Sequence, residues 1–499
     1  MDSYLITTSL LFGQLDVGLN QSQVACASLD VTPPPGSSVL NITGTERYGA
    51  TAVGAPEGGV DICDVKIYLT HGNAGDEVLI EIWLPLNGWN GRFQATGGGG
   101  FIPGWFEGFA PVDGLSGFGL GVAEGYATAC TDAGVSLEGD PSSWFDSAQL
   151  VDNFVYLAYH ETAIVGKQVT AQFYGEQPQY SYFVGCSQGG RHGYSEAQRY
   201  PEGYDGIMAA APAVSLDRAA VALGWPYVVT NQVPGSASAC ILRTITNASI
   251  AACDLLDGAA DGLISDPRLC HFDALSQVGA KANCEDGPIT ITQEFAEMWN
   301  NIRKGITTPN GTKLWYDLQP GTDFSALPGF EPAKDWIRDF LQGDPSFDVG
   351  SMKPSDMARY IDESMAKRHV PWATDNPDLS AFKKSGGKLL TWHGWADEYI
   401  FPGGTLDYWQ RVVEMSSEAE TDEFYRIFIA PGAGHYLGGI GPQIMSPLAV
   451  LVDWVENGNA PETLPAAGNG QTRNVCKHPK RLHYKGDGDT SDASSWECV

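Results

Sequence analysis

Apolar positions along this chain follow two rhythms. Between residues 26 and 95 apolar and polar residues alternate, as in Asp64-Val65-Lys66-Ile67-Tyr68-Leu69 and Val78-Leu79-Ile80-Glu81-Ile82-Trp83-Leu84. A period of two predicts strands paired as hairpins. Beyond them come short, nearly continuous runs: Arg92 to Ala95, Gly125 to Cys130 ending at Thr131-Asp132, Tyr182 to Val184, Tyr204 to Ala211, Lys388 to Trp392 and Phe424 to Ile429. These predict buried strands, with helices over Phe145 to Gln172 and Arg191 to Tyr200 among them. The alternation of strand and helix stops near residue 215 and resumes near 371. This predicts an α/β core in two parts, 1–214 and 371–499, interrupted at 215–370 by an inserted lid domain. No internal repeat or low-complexity tract is visible.

The run Tyr182-Phe183-Val184 leads into Gly185-Cys186-Ser187-Gln188-Gly189, and a helical segment follows at once. Strand, G-x-S-x-G and helix together predict a nucleophile elbow, a strained turn that lifts a serine hydroxyl above the end of a parallel strand. The flanking glycines permit a passage that a Cβ would obstruct. A serine hydroxyl becomes a nucleophile only when a histidine takes its proton and a carboxylate fixes that histidine's tautomer. In α/β-hydrolases these partners follow in the order Asp or Glu, then His, each past a strand end. Asp397 in His393-Gly394-Trp395-Ala396-Asp397 and His435 in Gly432-Ala433-Gly434-His435 meet that description. His192, in the helix after the elbow, and His393, too near its own strand, are expected to play supporting or structural parts. The oxyanion needs two N–H donors. The expected ones are the backbone of Gln188 and the glycine run Gly97 to Gly100, with Gly99 and Gly100 the foremost candidates. A phosphate loop does not fit, because no Gly-Lys-Ser/Thr follows.

Charge narrows the partners. Twenty-nine Lys and Arg stand against 60 Asp and Glu, a net charge of −31 over 499 residues. That disfavours nucleic acid and anionic membranes, which select a basic face, and suits a soluble, secreted protein working at mildly acidic pH. No run approaches the eighteen or more apolar residues of a membrane span. Ten cysteines without a CxxC pair, and sequons at Asn20, Asn41, Asn247 and Asn310, fit an oxidising secretory route and a glycoprotein. Tyr4 to Phe12 is apolar enough for a short signal core, yet Asp2 has the wrong sign, so the expected signal is atypical or trimmed. Asp254, Asp257, Asp261 and Asp266 lie within thirteen residues interspersed with glycines. Hard oxygen ligands at such spacing suit Ca²⁺, although the bidentate Glu of an EF-hand is missing.

The segments Gly185-Cys186-Ser187-Gln188-Gly189-Gly190-Arg191, Glu196-Ala197-Gln198-Arg199-Tyr200-Pro201 and Tyr204-Asp205-Gly206-Ile207 resemble the tannase and feruloyl esterase family of fungi and bacteria. So do Trp89-Asn90-Gly91-Arg92-Phe93 with the glycine run, His393 to Asp397, and Tyr484-Lys485-Gly486-Asp487-Gly488-Asp489. The resemblance covers nearly the whole chain from about residue 26. It implies a secreted α/β-hydrolase with a large lid, cleaving esters of hydroxycinnamic or gallic acids. It also implies a structural calcium held by the side chains of Asp254, Asp257 and Asp261 and the carbonyls of Ala259 and Leu263. By family spacing it pairs Cys26 with Cys63, Cys253 with Cys270 and Cys476 with Cys498, leaving Cys240 and Cys284 for each other. One feature departs from the family. The cysteine before the nucleophile there bonds to a cysteine directly after the catalytic histidine, whereas His435 here is followed by Tyr436. Cys186 is therefore expected as a buried free thiol or as a partner of Cys130.

Taken together, these residues predict a serine carboxylic-ester hydrolase working through an acyl-enzyme with no organic cofactor, and the resemblance implies that it acts on feruloyl esters of plant cell-wall material. The substrates are small phenolic esters, free or attached to polysaccharide. A tannase acting on galloyl esters is the alternative within this chemistry. A peptidase using the same residues has no specific support, and a non-catalytic binding protein on the same fold is the alternative of another class.

Overall fold

The computed structural model describes residues 24–51, 57–104, 118–233, 239–285, 287–308, 310–436 and 438–499. Tyr4 to Phe12 and the sequon at Asn20 lie outside the described residues. Strands β1 (Ser37–Ala50), β2 (Val60–His71), β3 (Val78–Pro85), β4 (Arg92–Thr96), β5 (Ala127–Thr131), β6 (Tyr180–Cys186) and β7 (Gly206–Ala210) come first. A long excursion then carries only the small hairpin of β8 (Lys281–Cys284) and β9 (Gly287–Thr290), before β10 (Lys388–Gly394) and β11 (Tyr425–Ala430) complete the main sheet. Its order is β1-β2-β3-β5-β4-β6-β7-β10-β11. The strands up to β5 pair antiparallel, and β5-β4-β6-β7-β10-β11 run parallel.

The two sequence rhythms correspond to these two halves. β5, β7 and β11 are buried at every position, and β6 and β10 at all but the first. Parallel strands covered on both faces need such unbroken apolar runs. The outermost strand, β1, is exposed or half-exposed along most of its length. It carries Thr45, Glu46 and Arg47, polar groups that keep a sheet edge from pairing with another chain. One face of the sheet is covered by Leu448, Leu451 and Trp454 of the helix Pro447–Asn457 and by the hairpin residues Leu464 and Val475.

The other face meets residues 211–387, which add no strand to the main sheet among the described residues. Its principal helices are Leu216–Leu223, Ala239–Cys253, Gln293–Lys304 and Met357–Trp372. Gln293–Lys304 shows why they form. Thr292 caps its start by accepting the Phe295 N–H at 3.4 Å, Ala296, Met298, Trp299 and Ile302 make the buried face, and Arg303 and Lys304 precede a left-handed Gly305 at its end. Aromatic contacts join this excursion to the sheet layer: Phe340 lies 5.5 Å from Phe101 and 5.6 Å from Trp144, and Trp372 lies 5.8 Å from Phe154. One continuous hydrophobic core therefore runs through both. The stretch Ala239–Asp257 is long and apolar enough to span a membrane by length and composition alone. Disulfides at both its ends, Cys240–Cys284 and Cys253–Cys270, fasten it within the fold. Cys26–Cys63 and Cys476–Cys498 also form, so all four expected pairs are present.

The helix expected over Phe145 to Gln172 is two helices, Ala148–Asp152 and Ala158–Tyr174, joined by a π-turn over Asn153–Leu157. Tertiary partners account for the wider turn. The Phe154 carbonyl lies 3.0 Å from His192 Nε2, the Val155 carbonyl accepts from the Arg191 guanidinium, and Asn153 Nδ2 donates to Asp76 at 2.8 Å.

Asp76 belongs to a buried charge cluster that sets a pH dependence. His71 is 6% exposed, with Nδ1 2.6 Å from Asp76 and Nε2 3.0 Å from Glu161. The Glu161 hydrogen bond and then the Asp76 one outweigh burial and push His71 up to about 9. Its folded value lies above its unfolded one, so the stabilisation is complete below about pH 6.5 and is lost as pH rises through about 9. His71→Gln is expected to cost about 1–2 kcal/mol at pH 6 and progressively less towards pH 9. Urea unfolding of both proteins across that range checks it; a penalty that does not change with pH would remove the charged-histidine explanation.

Candidate active site

Ser187 stands where β6 turns into the helix Gln188–Arg199, at φ 61° and ψ −119°. A non-glycine residue there stores strain, held in place by its surroundings. The Ser187 N–H donates to the Ala210 carbonyl at 3.0 Å, and the Ser187 carbonyl accepts from Arg191 N–H at 3.0 Å. The glycines around it are sterically required. A Cβ on Gly185 would lie 2.4 Å from the Gly189 backbone, one on Gly189 2.7 Å from the Gly98 carbonyl, and one on Gly190 2.6 Å from the Ala210 carbonyl. The glycine run Gly97–Gly100 is strapped to this turn, with Gly97 N–H donating to Val184 at 3.0 Å and Gly189 N–H to Gly98 at 2.9 Å.

Asp397 and His435 come together directly. His435 Nδ1 lies 2.8 Å from Asp397 Oδ2, and Asp397 Oδ1 accepts the Tyr399 and Ile400 N–H groups at 2.9 and 2.8 Å. The carboxylate can only accept, so Nδ1 carries the proton and Nε2 keeps its lone pair. Burial works against the Asp397 charge, but His435 and His393 hold it well below the usual carboxylate range. Burial also pulls His435 down, yet the Asp397 charge and hydrogen bond, with the Glu398 charge, leave it raised.

His393 is fully buried in β10, with Nε2 3.1 Å from Asp397 Oδ2 and 2.6 Å from the Ile400 carbonyl, and Nδ1 2.9 Å from Thr405 Oγ1. His192 is stacked 3.6 Å from the Tyr159 ring and kept neutral by burial. Ser187, Gln188 and Gly100 line one pocket together with Ile400 from the Asp397 loop. The Gly99 N–H is already given to the Ile102 carbonyl at 3.0 Å. The expectation for Gly99 as an oxyanion donor is therefore corrected, while Gly100, at φ 58° with open space beside it, stays on the pocket wall.

The pocket has an empty volume of about 410 Å³ including its mouth. Among the described residues its side chains besides Ser187 and Gln188 are apolar; Phe101 comes from the glycine strap, and Leu216, Ala220, Leu223, Phe330 and Pro332 come from the excursion after β7. Sequence reasoning left those excursion residues unassigned. The only signal for them was the apolar run at Leu216–Leu223.

Cys186 and Cys130 are both buried free thiols, so the Cys186–Cys130 alternative does not form. Cys130 packs with Trp83 and Val122, and Cys186 packs in a separate cluster with Val184 and Met208. Tyr436 packs against the cluster that holds Cys186 instead, and burial pushes both the thiol and the phenol far above their ordinary values. The turn bearing His435 thus reaches the elbow through side-chain packing.

In the acidic loop, Asp254 accepts the Asp261 and Gly262 N–H groups at 3.1 and 2.8 Å, and Asp257 accepts those of Ala259 and Ser265 at 3.1 and 3.3 Å. Asp261 accepts the Leu263 N–H at 3.0 Å and pairs with the buried Arg473. Burial and then neighbouring carboxylates raise both Asp257 and Asp261. Among the described residues no three ligating side chains already form a metal cage. The donors are nevertheless all oxygens, and three carboxylates against one guanidinium leave two negative charges, which suits a divalent hard cation.

The family model for tannase and feruloyl esterase matches residues 63–337 and 333–499. A protein of Arthroderma benhamiae named "Probable feruloyl esterase" is 39% identical, covering 95% of this chain and 93% of the relative. One of Aspergillus terreus named "Probable feruloyl esterase B-2" is 31% identical over 93% of this chain and 91% of the relative. Among solved structures, feruloyl esterase B from Aspergillus oryzae superposes with a TM-score of 0.82 at 28% identity, covering 95% of this chain and 99% of that one. Tannin acyl hydrolase from Aspergillus niger gives 0.83 at 26% identity, over 93% and 92%. On this evidence the chain belongs to the tannase and feruloyl esterase family and is a carboxylic-ester hydrolase.

Proposed function

We propose that this enzyme hydrolyses hydroxycinnamate esters through a seryl acyl-enzyme. The pocket carries the reading: a nearly apolar cavity lined by Phe101, Phe330 and Ser187 suits an aromatic acyl chain. A galloyl ring brings three adjacent hydroxyls that need polar partners. Among the described residues that line the pocket, only the side chains of Ser187 and Gln188 are polar, which favours the feruloyl over the galloyl substrate. The Gln188 amide is buried with no protein partner among the described residues, so it is free to meet a substrate oxygen.

In this mechanism His435 Nε2 takes the Ser187 hydroxyl proton as Oγ attacks the ester carbonyl. The oxyanion is held by the N–H groups of Gln188 and Gly100. When the tetrahedral species collapses, the ester C–O bond breaks and His435 gives its proton to the departing alcohol. Water, deprotonated by His435, then releases the acid and restores Ser187. Asp397 keeps the imidazole in the required tautomer throughout. Residues 215–370 act as a lid that walls the acyl group. The four disulfides support secretion into an oxidising setting, where phenolic esters on plant polysaccharide are accessible.

The test is hydrolysis of methyl ferulate, methyl caffeate, methyl gallate and p-nitrophenyl acetate by wild type and Ser187→Ala. Cinnamate cleavage that disappears in the variant is expected. Gallate preference would make the enzyme a tannase, and no Ser187-dependent turnover of any ester would favour the binding-protein alternative.

A calcium ion on the side chains of Asp254, Asp257 and Asp261 and the carbonyls of Ala259 and Leu263 would brace the loop closed by Cys253–Cys270. Its effect would be on stability, not chemistry. Excess EDTA is expected to lower the melting temperature by about 5 °C or more, with restoration by Ca²⁺ and a smaller effect in Asp257→Asn. An unchanged melt would argue for Arg473 alone as the loop's counter-charge.

A further inference from the structure

Glu398 lies next to Asp397 and reaches across to the facing turn. Its Oε2 accepts the backbone N–H of His435 at 3.2 Å. That turn is tight, with Gly434 N–H donating to the Gly438 carbonyl at 2.8 Å and Gly438 N–H to the His435 carbonyl at 2.9 Å. Gly434 makes room for the carboxylate, since a Cβ there would stand 3.0 Å from Oε2, while a Cβ on Gly438 would sit in ordinary contact, 3.6 Å from Oε1. The side chain thus sits in the hollow of the turn that presents His435.

We infer that Glu398 is a positioning residue: its carboxylate fastens the turn carrying His435 and adds a second negative charge beside the Asp397–His435 pair. The inference rests on His435 being the base. The groups facing Glu398 are Asp397 on its own loop and His435 on the turn, with the Tyr399 phenol beside it. Burial, and then the Asp397 charge, raises the Glu398 carboxyl to about 7. It therefore gains its charge near neutral pH, next to the imidazole whose charge it influences. Its negative charge favours the imidazolium.

Two variants separate charge from anchoring. Glu398→Gln keeps an oxygen for the His435 N–H and removes the charge. Glu398→Ala removes both. The acid limb of the kcat/KM profile, measured from about pH 4 to about pH 9 on methyl ferulate or p-nitrophenyl acetate, is expected to move about one unit to lower pH in both. Only Glu398→Ala is expected to lose about tenfold in kcat at the plateau, because the base is no longer held in register. Thermal melts of both variants show whether they fold. An acid limb that stays in place in a folded Glu398→Gln, while turnover remains Ser187-dependent, overturns the role of Glu398 alone. Turnover independent of Ser187 overturns the serine-esterase reading and this inference with it.

Discussion

Asp397→Asn is expected to lower kcat by about 10⁴ in a protein that still folds, with some loss of stability. The reason lies in how the carboxylate is divided. Oδ1 receives two backbone N–H groups, from Tyr399 and Ile400, so an asparagine will turn its own oxygen to them. Its amide nitrogen must then occupy the place of Oδ2, 2.8 Å from His435 Nδ1. A donor there favours the tautomer with the proton on Nε2, and that histidine cannot accept a proton from Ser187. The same nitrogen also confronts His393 Nε2, which must carry its own proton because the Ile400 carbonyl 2.6 Å away can only accept. Turnover of a cinnamate ester at pH 8, with a melting curve for each protein, checks this. A loss below about 100-fold would mean that the carboxylate only orients the ring and does not select its tautomer.

What could be read ahead of the structure follows from how local the constraint is. The elbow was legible because its sterics concern neighbours in sequence: no residue but glycine fits at 185 or 189. The parallel strands were legible because burial on both faces leaves unbroken apolar runs. Asp397 and His435 could be named because each follows such a run. Other features depend on what the chain meets after folding. The π-turn at Asn153–Leu157 exists because Arg191 and His192 need carbonyl partners, and nothing within the helix itself announces that. Gly99 and Gly100 are equivalent as residues, and the Ile102 carbonyl decides which N–H is taken. The pocket wall from Leu216, Leu223 and Phe330 is assembled from distant parts of the excursion, with no period linking them.

The departure at Tyr436 illustrates the same point. Sequence shows only that a cysteine is missing. The structure packs Tyr436 against the cluster that holds the free Cys186 thiol, so the elbow and the histidine turn still meet without a covalent link. Nothing in the sequence marks Glu398, one residue after Asp397, because its partner is a backbone N–H on the next strand's loop.

Removing the Ser187 Cβ is expected to separate strain from chemistry. Ser187→Gly and Ser187→Ala both lose the hydroxyl, and both are expected to lose about 10⁶ in kcat. Their stabilities should differ. Alanine keeps a Cβ in the left-handed backbone at φ 61°, so the strain persists and its melt stays near wild type. Glycine occupies that region freely, releasing about 1–3 kcal/mol, against about 0.5–1 kcal/mol of extra chain entropy in the unfolded state. The glycine variant should therefore melt higher than the alanine variant by about 1–3 °C. The backbone bonds that hold the turn, Ser187 to Ala210 and Gly189 to Gly98, are common to both variants and cancel in the comparison. Equal melting points would mean that those bonds leave no strain to release at Ser187. A higher one for glycine would identify the elbow as a place where this fold gives up stability so that one hydroxyl can stand above the sheet.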